Sequence, residues 1–528
     1  MKQKINSLAT ASILLILLAG IYIQSQLYLS WDVSWHLLIT QRFLNGGNYV
    51  TAFMDINPPI ILYTLIPSIM LSNISGIHSA IALRIVVFTM GILSLFTCYY
   101  QIKKCFVKKE HYITAFILVA IAFCFFILPA HEFGQREHLF LIFTLPYFFR
   151  VAALSEEKSS SLLESVWIGL LAGIGFLINI EFMLLFSLIE IYLMIKRKSL
   201  FMILRTDSIL VLLLLSLYIA SVFILTPNYI HIILPLVAFL YQNAFNYSWY
   251  DLFTNTASFC WLAAAIFFPF HIKRSKHKPL SIILFISITI FILQFLLTRK
   301  TWYYHMLPTI AFSMLLLTLY LINDMFEFRY AKNIHINGEI DSHGELYKSK
   351  QLIITMLVFA SLILLPINTM FIFTRAALIY SNKPNNEINQ LIRYTKKQAL
   401  GKNIFVFSLT VPPAPTLVEY ADVSLDSRFA GFWMLPGIVN LSKEKLNKKD
   451  QAKLKAAKKL LFQLVSEDFT QNKPNYVFVD VNKYKTYFDD KPFDYIQYFS
   501  QDPRFKKAWK NYKYLGRIGF MSIYKNRH

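Results

Sequence analysis

Long apolar runs alternate with short polar segments through the first 373 residues. A helix that crosses a membrane needs about 20 mostly apolar residues. About eleven such runs follow one another, from residues 7–27 to residues 352–373. The pattern therefore predicts a polytopic α-helical membrane protein with about eleven spans.

Two apolar runs depart from this pattern. Residues 60–72 are too few for a full span and contain Pro67, which favours an interfacial or re-entrant helix. Residues 162–196 are too many for one span and are interrupted by Asn179 and Glu181. We therefore expect two spans there, joined by a tight turn.

Basic clusters assign the sides of the membrane. Lys2 and Lys4 precede the first span, and further basic clusters lie at 103–109, 196–205 and 273–278. The positive-inside rule puts these clusters and the N-terminus in the cytoplasm. The longest cytoplasmic loop is then 323–350. The polar segments left outside are the first outward loop at 29–59, a second at 131–138 and a third at 299–305.

The composition changes after residue 373. Helical patterns at 385–400 and 445–466 lie among strand-like runs at 403–409 and 476–481, with room for one or two more strands at 513–524. The sequence therefore predicts a transmembrane domain over 1–373 and a small α/β domain over 374–528. An odd number of spans puts the second domain outside the cytoplasm.

The overall composition supports the membrane assignment. Hydrophobic residues make up 56% of the chain and charged residues only 16%. Part of the net charge of +22 comes from basic clusters between apolar runs, which indicate cytoplasmic loops rather than a nucleic-acid partner. The larger part comes from the lysine-rich segment after residue 373, which could lie near anionic head groups. The cysteines Cys98, Cys105, Cys124 and Cys260 lie in or beside apolar runs without the spacing of a zinc site.

The first outward loop holds the strongest candidate for catalysis. Asp32 follows the first span and is flanked by Trp31 and Trp35. A carboxylate at the membrane interface is poorly solvated and can act as a base. The plainer alternative is an interface residue between aromatic anchors. Supporting or acceptor-binding candidates in the same loop are His36, Arg42 and Asp55.

The second outward segment, HEFGQREH, packs ionisable residues between two spans. Such residues at a span boundary are functional candidates, although a solvated turn explains them as well. Its acidic members, Glu132 and Glu137, are supporting candidates, and Arg136 is a candidate for binding a phosphate.

The third outward segment, RKTWYYH, carries basic residues on the outside, against the usual trend. Lys300 together with Tyr303 and His305 would suit the phosphate of a lipid carrier. The alternative is a lysine that extends to the interface. Together the three segments suit transfer of a group from a lipid phosphate, with a base for the acceptor and cations for the departing phosphate. A role for a divalent cation stays open.

The sequence resembles the GT-C superfamily of membrane glycosyltransferases, in particular the family-39-like branch with the protein O-mannosyltransferases and the lipid A aminoarabinose transferase. The resemblance covers roughly the first 330 residues. It is carried in order by Asp32, Arg42, Gly46 with Gly47, Tyr49, 57–59, 82–84, Lys300, 303–305 and 307–308. Departures are Val33 directly after Asp32, Asn57 before the two prolines, and Glu132 or Glu137 as the second acidic residue. They leave the acceptor and any metal open.

The resemblance implies a fold and a reaction. It implies a GT-C-like enzyme of the bacterial inner membrane that moves a sugar from a polyprenyl-phosphate donor to a glycan, lipid or protein acceptor outside the cytoplasm, with inversion. Asp32 would be the general base. The alternatives are a transporter or flippase of a lipid-linked glycan and a structural or polymer-assembly partner. A transporter needs charged residues deep inside spans, and these are sparse in the sequence.

Overall fold

The computed structural model of the protein combines apolar helices with one small β-sheet. The residues it describes are 2–106, 111–158, 161–241, 244, 247–275, 277–334, 371, 375, 377–379, 381, 386–485, 487–488 and 492–527. The predicted eleventh span at 352–373 lies outside the described residues apart from residue 371, and so does most of the loop at 323–350.

Helices make up the described chain up to residue 334. They are α1 (Lys2–Gln26), α2 (Trp31–Leu44), α3 (Ile60–Ser75), α4 (Ser79–Cys105), α5 (His111–Phe126), α6 (Arg136–Ser155), α7 (Leu162–Leu177), α8 (Phe182–Arg197), α9 (Thr206–Leu225), α10 (Tyr229–Tyr241), α11 (Trp249–Phe253), α12 (Thr256–Arg274), α13 (Lys278–Thr298) and α14 (Tyr303–Ile334). Helix α10 is largely π-helical, and 3-10 turns occur at Ala130–Glu132 and Leu200–Leu204.

Within the described residues, 7 helices are long and apolar enough to cross a membrane. They lie in α1, α4, α6, α9, α12, α13 and α14. This confirms the predicted polytopic helical architecture. Helices α3, α5 and α7 are apolar but have only 16 residues each. At about 1.5 Å per residue they are shorter than the hydrocarbon core, which is about 30 Å thick.

Two boundaries bear on the sequence predictions. The run at 162–196 divides into α7 and α8 as expected, and the turn between them contains Asn179 and Glu181. The predicted loop from residue 323 is wrong at its start, because α14 continues to Ile334. A helix satisfies its own backbone hydrogen bonds, so it can continue past an apolar run into polar sequence.

The carboxyl-terminal part contains a five-stranded sheet of order β2-β1-β3-β5-β4. Its central strands are parallel to each other and largely buried, as expected for strands covered on both faces. The strands are β1 (Asn403–Phe407), β2 (Ser424–Leu425), β3 (Tyr476–Asp480), β4 (Tyr512–Ile518) and β5 (Met521–Asn526). Strands β3 and β4 each pair with β5 in antiparallel fashion.

Helices accompany these strands. They are α15 (Glu387–Gln398), α16 (Ala414–Ala421), α17 (Met434–Leu441), α18 (Lys448–Asn472), α19 (Tyr495–Phe499) and α20 (Pro503–Trp509). The predicted α/β character is confirmed. The helix expected at 445–466 begins later and continues to Asn472 as α18. The sequence patterns did not predict α16, α17, α19 and α20, which have eight residues or fewer.

Contacts between Cα atoms group the described chain into two compact units. The helical unit contains residues 1–25, 84–218 and 247–377, and the sheet unit contains residues 26–83, 219–246 and 378–528. The first outward loop at 29–59 belongs to the same unit as the β-sheet. The predicted domain boundary at residue 373 follows chain order and stays a prediction.

The helical unit contains a buried network of paired charges, here called the arginine network. Arg150 lies 2.7 Å from Asp207, and Arg205 lies 2.8 Å from Glu190 and 3.1 Å from Asp207. The Tyr147 hydroxyl donates to Glu190. These contacts join α6, α8 and α9, so the network ties three helices together.

Candidate active site

The predicted residues form two clusters, one in each compact unit. Asp32, His36, Arg42 and Asp55 lie in the sheet unit. The helical unit holds Glu132, Arg136, Glu137, Lys300, Tyr303 and His305. Each cluster is built from the elements of its own unit.

Asp32 lies in the first turn of α2 and is half-buried. The helix begins at Trp31, and the Ser34 N–H donates to the Ser30 carbonyl at 2.9 Å. Free backbone N–H groups and the helix dipole favour a negative charge at this end of a helix. The first turn of α2 therefore contains the candidate base.

A second carboxylate of the loop is buried beside a histidine. His36 Nε2 lies 3.7 Å from Asp55 Oδ2, and their exposed fractions are 2% and 4%. Asn57 Nδ2 donates to both oxygens of Asp55 at 3.2 and 3.3 Å and lies 2.9 Å from His36 Nε2. Because His36 is four residues after Asp32 in α2, both side chains lie on the same face of the helix. We call His36, Asp55 and Asn57 the loop cluster.

Arg42 holds the loop through backbone carbonyls. Its Nη1 donates to Ala52 at 2.9 Å and to Ser427 at 3.0 Å, and its Nη2 donates to Leu425. Burial lowers the pKa of this guanidinium to about 10, although nearby carboxylates oppose the shift, so Arg42 stays charged at neutral pH. The planar fork of arginine suits several acceptors at once. Arg42 therefore supports the conformation of the first outward loop.

Arg428 makes the reciprocal connection, which the sequence patterns did not predict. Its Nη1 donates to the Val50 carbonyl at 2.8 Å, and its own carbonyl accepts from the Met54 N–H at 2.6 Å. Its Nη2 lies 2.7 Å from Asp468 Oδ1. The Trp433 indole N–H adds a bond to the Met54 carbonyl at 3.1 Å. The loop is thus bonded to the chain around β2 and α17 at several points.

Glu137 is the centre of the cluster in the helical unit. It is 1% exposed, and its Oε1 lies 3.3 Å from His305 Nδ1 and 3.9 Å from Arg136 Nη2. Neither contact has the geometry of a hydrogen bond, and no other described residue donates to either oxygen. A narrow cavity beside it, with no room for a water molecule, is lined by Glu137, Phe182, Phe291, Gln294, Phe295 and His305.

Lys300 adds another cation to this cluster. Burial lowers the pKa of its ammonium to about 8, the charge of Arg136 lowers it further, and Glu181 opposes the shift. Lys300 Nζ lies 5.5 Å from the centre of the Trp302 ring. We call Arg136, Glu137, Lys300 and His305 the Glu137 cluster. Arg136 and Lys300 lie near one buried carboxylate, and these two cations could bind an anionic group.

Tyr303 and Glu132 have other contacts. The Tyr303 hydroxyl donates to the Leu128 carbonyl at 2.7 Å, and its ring stacks on His131 with centroids 6.1 Å apart. Glu132 Oε1 lies 3.3 Å from His131 Nε2. Binding of a phosphate by Tyr303 therefore requires that its hydroxyl leave a backbone carbonyl.

Gln294 is a polar residue of this region that the sequence reasoning missed. It lies in α13, lines the cavity beside Glu137, and donates to Glu181. The available signal was one polar residue within the apolar run FILQFLLT, since such residues inside spans are functional candidates. Among the described residues, no three or more His, Cys, Asp and Glu side chains are grouped so as to hold a metal ion.

The chain has the fold of ArnT over almost its whole length. The crystal structure of ArnT from Cupriavidus metallidurans bound to undecaprenyl phosphate matches with a TM-score of 0.54 and 10% identity, over 98% of this chain and 97% of that one. The apo structure of the same protein matches with a TM-score of 0.55 and 12% identity, over 98% of both chains. ArnT is a lipid A aminoarabinose transferase with the GT-C fold. No protein-family model and no curated protein matches the sequence.

Proposed function

We propose that this chain, which has the fold of ArnT over its whole length, transfers a sugar from a polyprenyl-phosphate donor to an acceptor outside the cytoplasm. The observation that carries the proposal is the full-length likeness to a transferase that was crystallised with undecaprenyl phosphate. The proposed location is the bacterial inner membrane, with both clusters and the β-sheet on the extracytoplasmic side. The acceptor is a glycan, a lipid or a protein.

Asp32 is the proposed general base. Its carboxylate takes the proton of an acceptor hydroxyl or amine while the acceptor atom forms a bond to the anomeric carbon. The bond between that carbon and the phosphate oxygen breaks, and its electron pair leaves with polyprenyl phosphate. A single displacement of this kind inverts the configuration at the anomeric carbon. The step needs one base and no co-reactant.

The Glu137 cluster is the proposed site for the donor phosphate. Arg136 and Lys300 supply the cations and His305 a ring nitrogen, and negative charge grows on the phosphate as the sugar leaves. Buried cations act more strongly on a developing charge than solvated ones, because less water screens them.

The loop cluster and Arg42 have proposed supporting roles. His36 lies on the Asp32 face of α2 and is fixed through Asn57 and Asp55. Arg42 fixes the far end of α2 to Ala52 and to the chain near β2. When a base is already held in one position, less conformational entropy is lost as it reaches the reactive geometry. Either group could also contact the acceptor.

The test is an assay of the purified protein in liposomes with a panel of polyprenyl-phosphate sugars. Two quantities are measured, namely release of polyprenyl phosphate and movement of the intact donor between leaflets. We expect release that depends on an acceptor. Movement of the intact donor without release of polyprenyl phosphate would instead identify a flippase and overturn the proposal.

A further inference from the structure

A second polar cavity lies in the helical unit, away from the residues assigned above. Its volume is about 800 Å³, and it lies where α6 and α8 end and α13 begins. The charged side chains that line it are Glu156, Glu157, Lys196, Arg197, Lys198 and Lys278. We call this cavity the basic cleft.

The charges of the basic cleft do not cancel. Arg197 forms an ion pair with Glu157. Lys196, Lys198 and Lys278 are exposed, and the described part of the chain offers none of them an ion-pair partner. Three ammonium groups therefore line one cavity with Glu156 as the second carboxylate, which favours an anionic ligand.

The frame of the cleft is fixed by the surrounding structure. Lys198 ends α8 in the left-handed region at φ 50°, and its N–H bonds back to the Ile195 carbonyl at 3.2 Å. Eight residues before Lys198, Glu190 is tied to Arg205 in the arginine network. Lysines at the end of α8 are thus attached to a helix that buried ion pairs hold in place.

The surroundings point to a lipid as the source of the anion. Ile195, Leu200 and Phe201 are 71%, 79% and 77% exposed, and they flank the lysines in sequence. The 3-10 turn Leu200–Leu204 has the sequence LFMIL and no buried residue. Apolar side chains left uncovered beside basic ones are typical of a segment in the membrane interface. The basic clusters of this region are predicted to lie on the cytoplasmic side.

We propose that the basic cleft binds the phosphodiester headgroup of an anionic phospholipid from the cytoplasmic leaflet. Lysine ammonium groups bind phosphate as compact point charges. Basic pockets between spans on this side of a membrane recognise such headgroups. The acyl chains would lie along the exposed apolar residues of 195–201. The inference does not depend on the proposed transfer reaction.

The test measures binding of phosphatidylglycerol and of phosphatidylcholine to the detergent-purified protein by native mass spectrometry. The cleft variant is Lys196→Gln with Lys198→Gln. The matched control is Lys103→Gln with Lys273→Gln, which removes the same charge from exposed lysines outside the cleft. Since each of the two lysines near a lipid headgroup contributes on the order of 1 kcal/mol, we expect about thirtyfold weaker binding of phosphatidylglycerol to the cleft variant only. Binding of phosphatidylcholine should not change.

Three results would overturn the proposal. One is wild-type binding of phosphatidylglycerol by the cleft variant while its unfolding temperature is unchanged. Another is an equal loss in the control variant, which would mean a general attraction to basic loops. The third is displacement of the lipid by millimolar inorganic phosphate, which would identify the free anion as the ligand.

Discussion

Helix α6 carries buried charges near both of its ends, and the two ends differ in how those charges are satisfied. In its second half, Arg150 bonds to Asp207 at 2.7 Å and to Ser165 at 2.9 Å. In its first turn, Glu137 is as deeply buried, yet neither of its oxygens accepts a hydrogen bond from a described residue. The same helix thus contains a completed charge network and an incomplete one.

The difference separates structural charges from functional ones. Burying a charge costs free energy unless partners replace the lost water. The arginine network provides those partners within the protein. Glu137 has only close cations, and a bound substrate could complete its surroundings. We therefore expect changes in the arginine network to lower stability, and changes in the Glu137 cluster to lower activity.

The largest expected effect is that of Asp207→Ala. The substitution leaves Arg150 and Arg205 without their shared partner, and breaking a buried ion pair costs about 3–5 kcal/mol. The unfolding temperature of the detergent-purified protein should fall clearly. Asp251→Ala is the control, because Asp251 is exposed. An unfolding temperature equal to that of the control would contradict the structural role of the network.

Glu137→Gln should lower activity more than stability, in contrast to Asp207→Ala. We expect kcat/KM for the donor to fall by about tenfold or more, because His305 and Arg136 lose the charge that orients them. The unfolding temperature should change less than in Asp207→Ala, since a neutral amide is easier to bury than an unsatisfied carboxylate. The two quantities are measured on the same preparation. Full activity together with a large loss of stability would place Glu137 with the structural charges.

Lys300 gives the Glu137 cluster a dependence on pH. Because burial and Arg136 lower the pKa of Lys300 to about 8, its ammonium is charged below that pH and loses its proton above it. We expect kcat/KM for the donor to fall as the pH rises through 8, by up to about tenfold per pH unit. Lys300→Arg should remove this decline, because arginine stays charged. The same decline in both proteins would show that another group causes it.

The smallest effect is expected for Tyr303→Phe. Its hydroxyl donates to the Leu128 carbonyl, so the variant should lose about 1 kcal/mol of stability or less. The KM for the donor should stay close to that of the wild type. A large rise in KM would mean that the hydroxyl leaves Leu128 to bind the phosphate, as the sequence predicted.

Much of the fold could be predicted from local patterns. Apolar runs predicted the helices, and the runs NIFVF and YVFVD predicted the central strands β1 and β3. Short helices such as α17 were missed, since about two turns of helix depend on tertiary packing rather than on periodicity. The membership of loop 29–59 in the sheet unit was also missed, because it rests on contacts between residues far apart in sequence.

The sequence predicted which residues belong to the candidate site. It did not predict which of them contact each other. Sequence reasoning selected His36, Asp55, Glu137 and His305, and the structure gives the contacts of His36 with Asp55 and of Glu137 with His305. It missed Arg428, whose role depends on backbone carbonyls of a loop almost 380 residues away. Every residue has a backbone carbonyl, so the sequence does not show which carbonyl accepts a hydrogen bond. Such contacts can be identified only in the structure.

The most direct test of the proposed reaction is the rate at which Asp32→Asn releases polyprenyl phosphate. The rate is measured in liposomes with a donor that the wild type uses, and it is divided by the amount of folded protein. Asp251→Asn is the matched control. We expect a loss of about 100-fold or more for Asp32→Asn, as befits removal of a general base, and no loss for the control. Release by Asp32→Asn at the wild-type rate would contradict the assignment of Asp32 as the base.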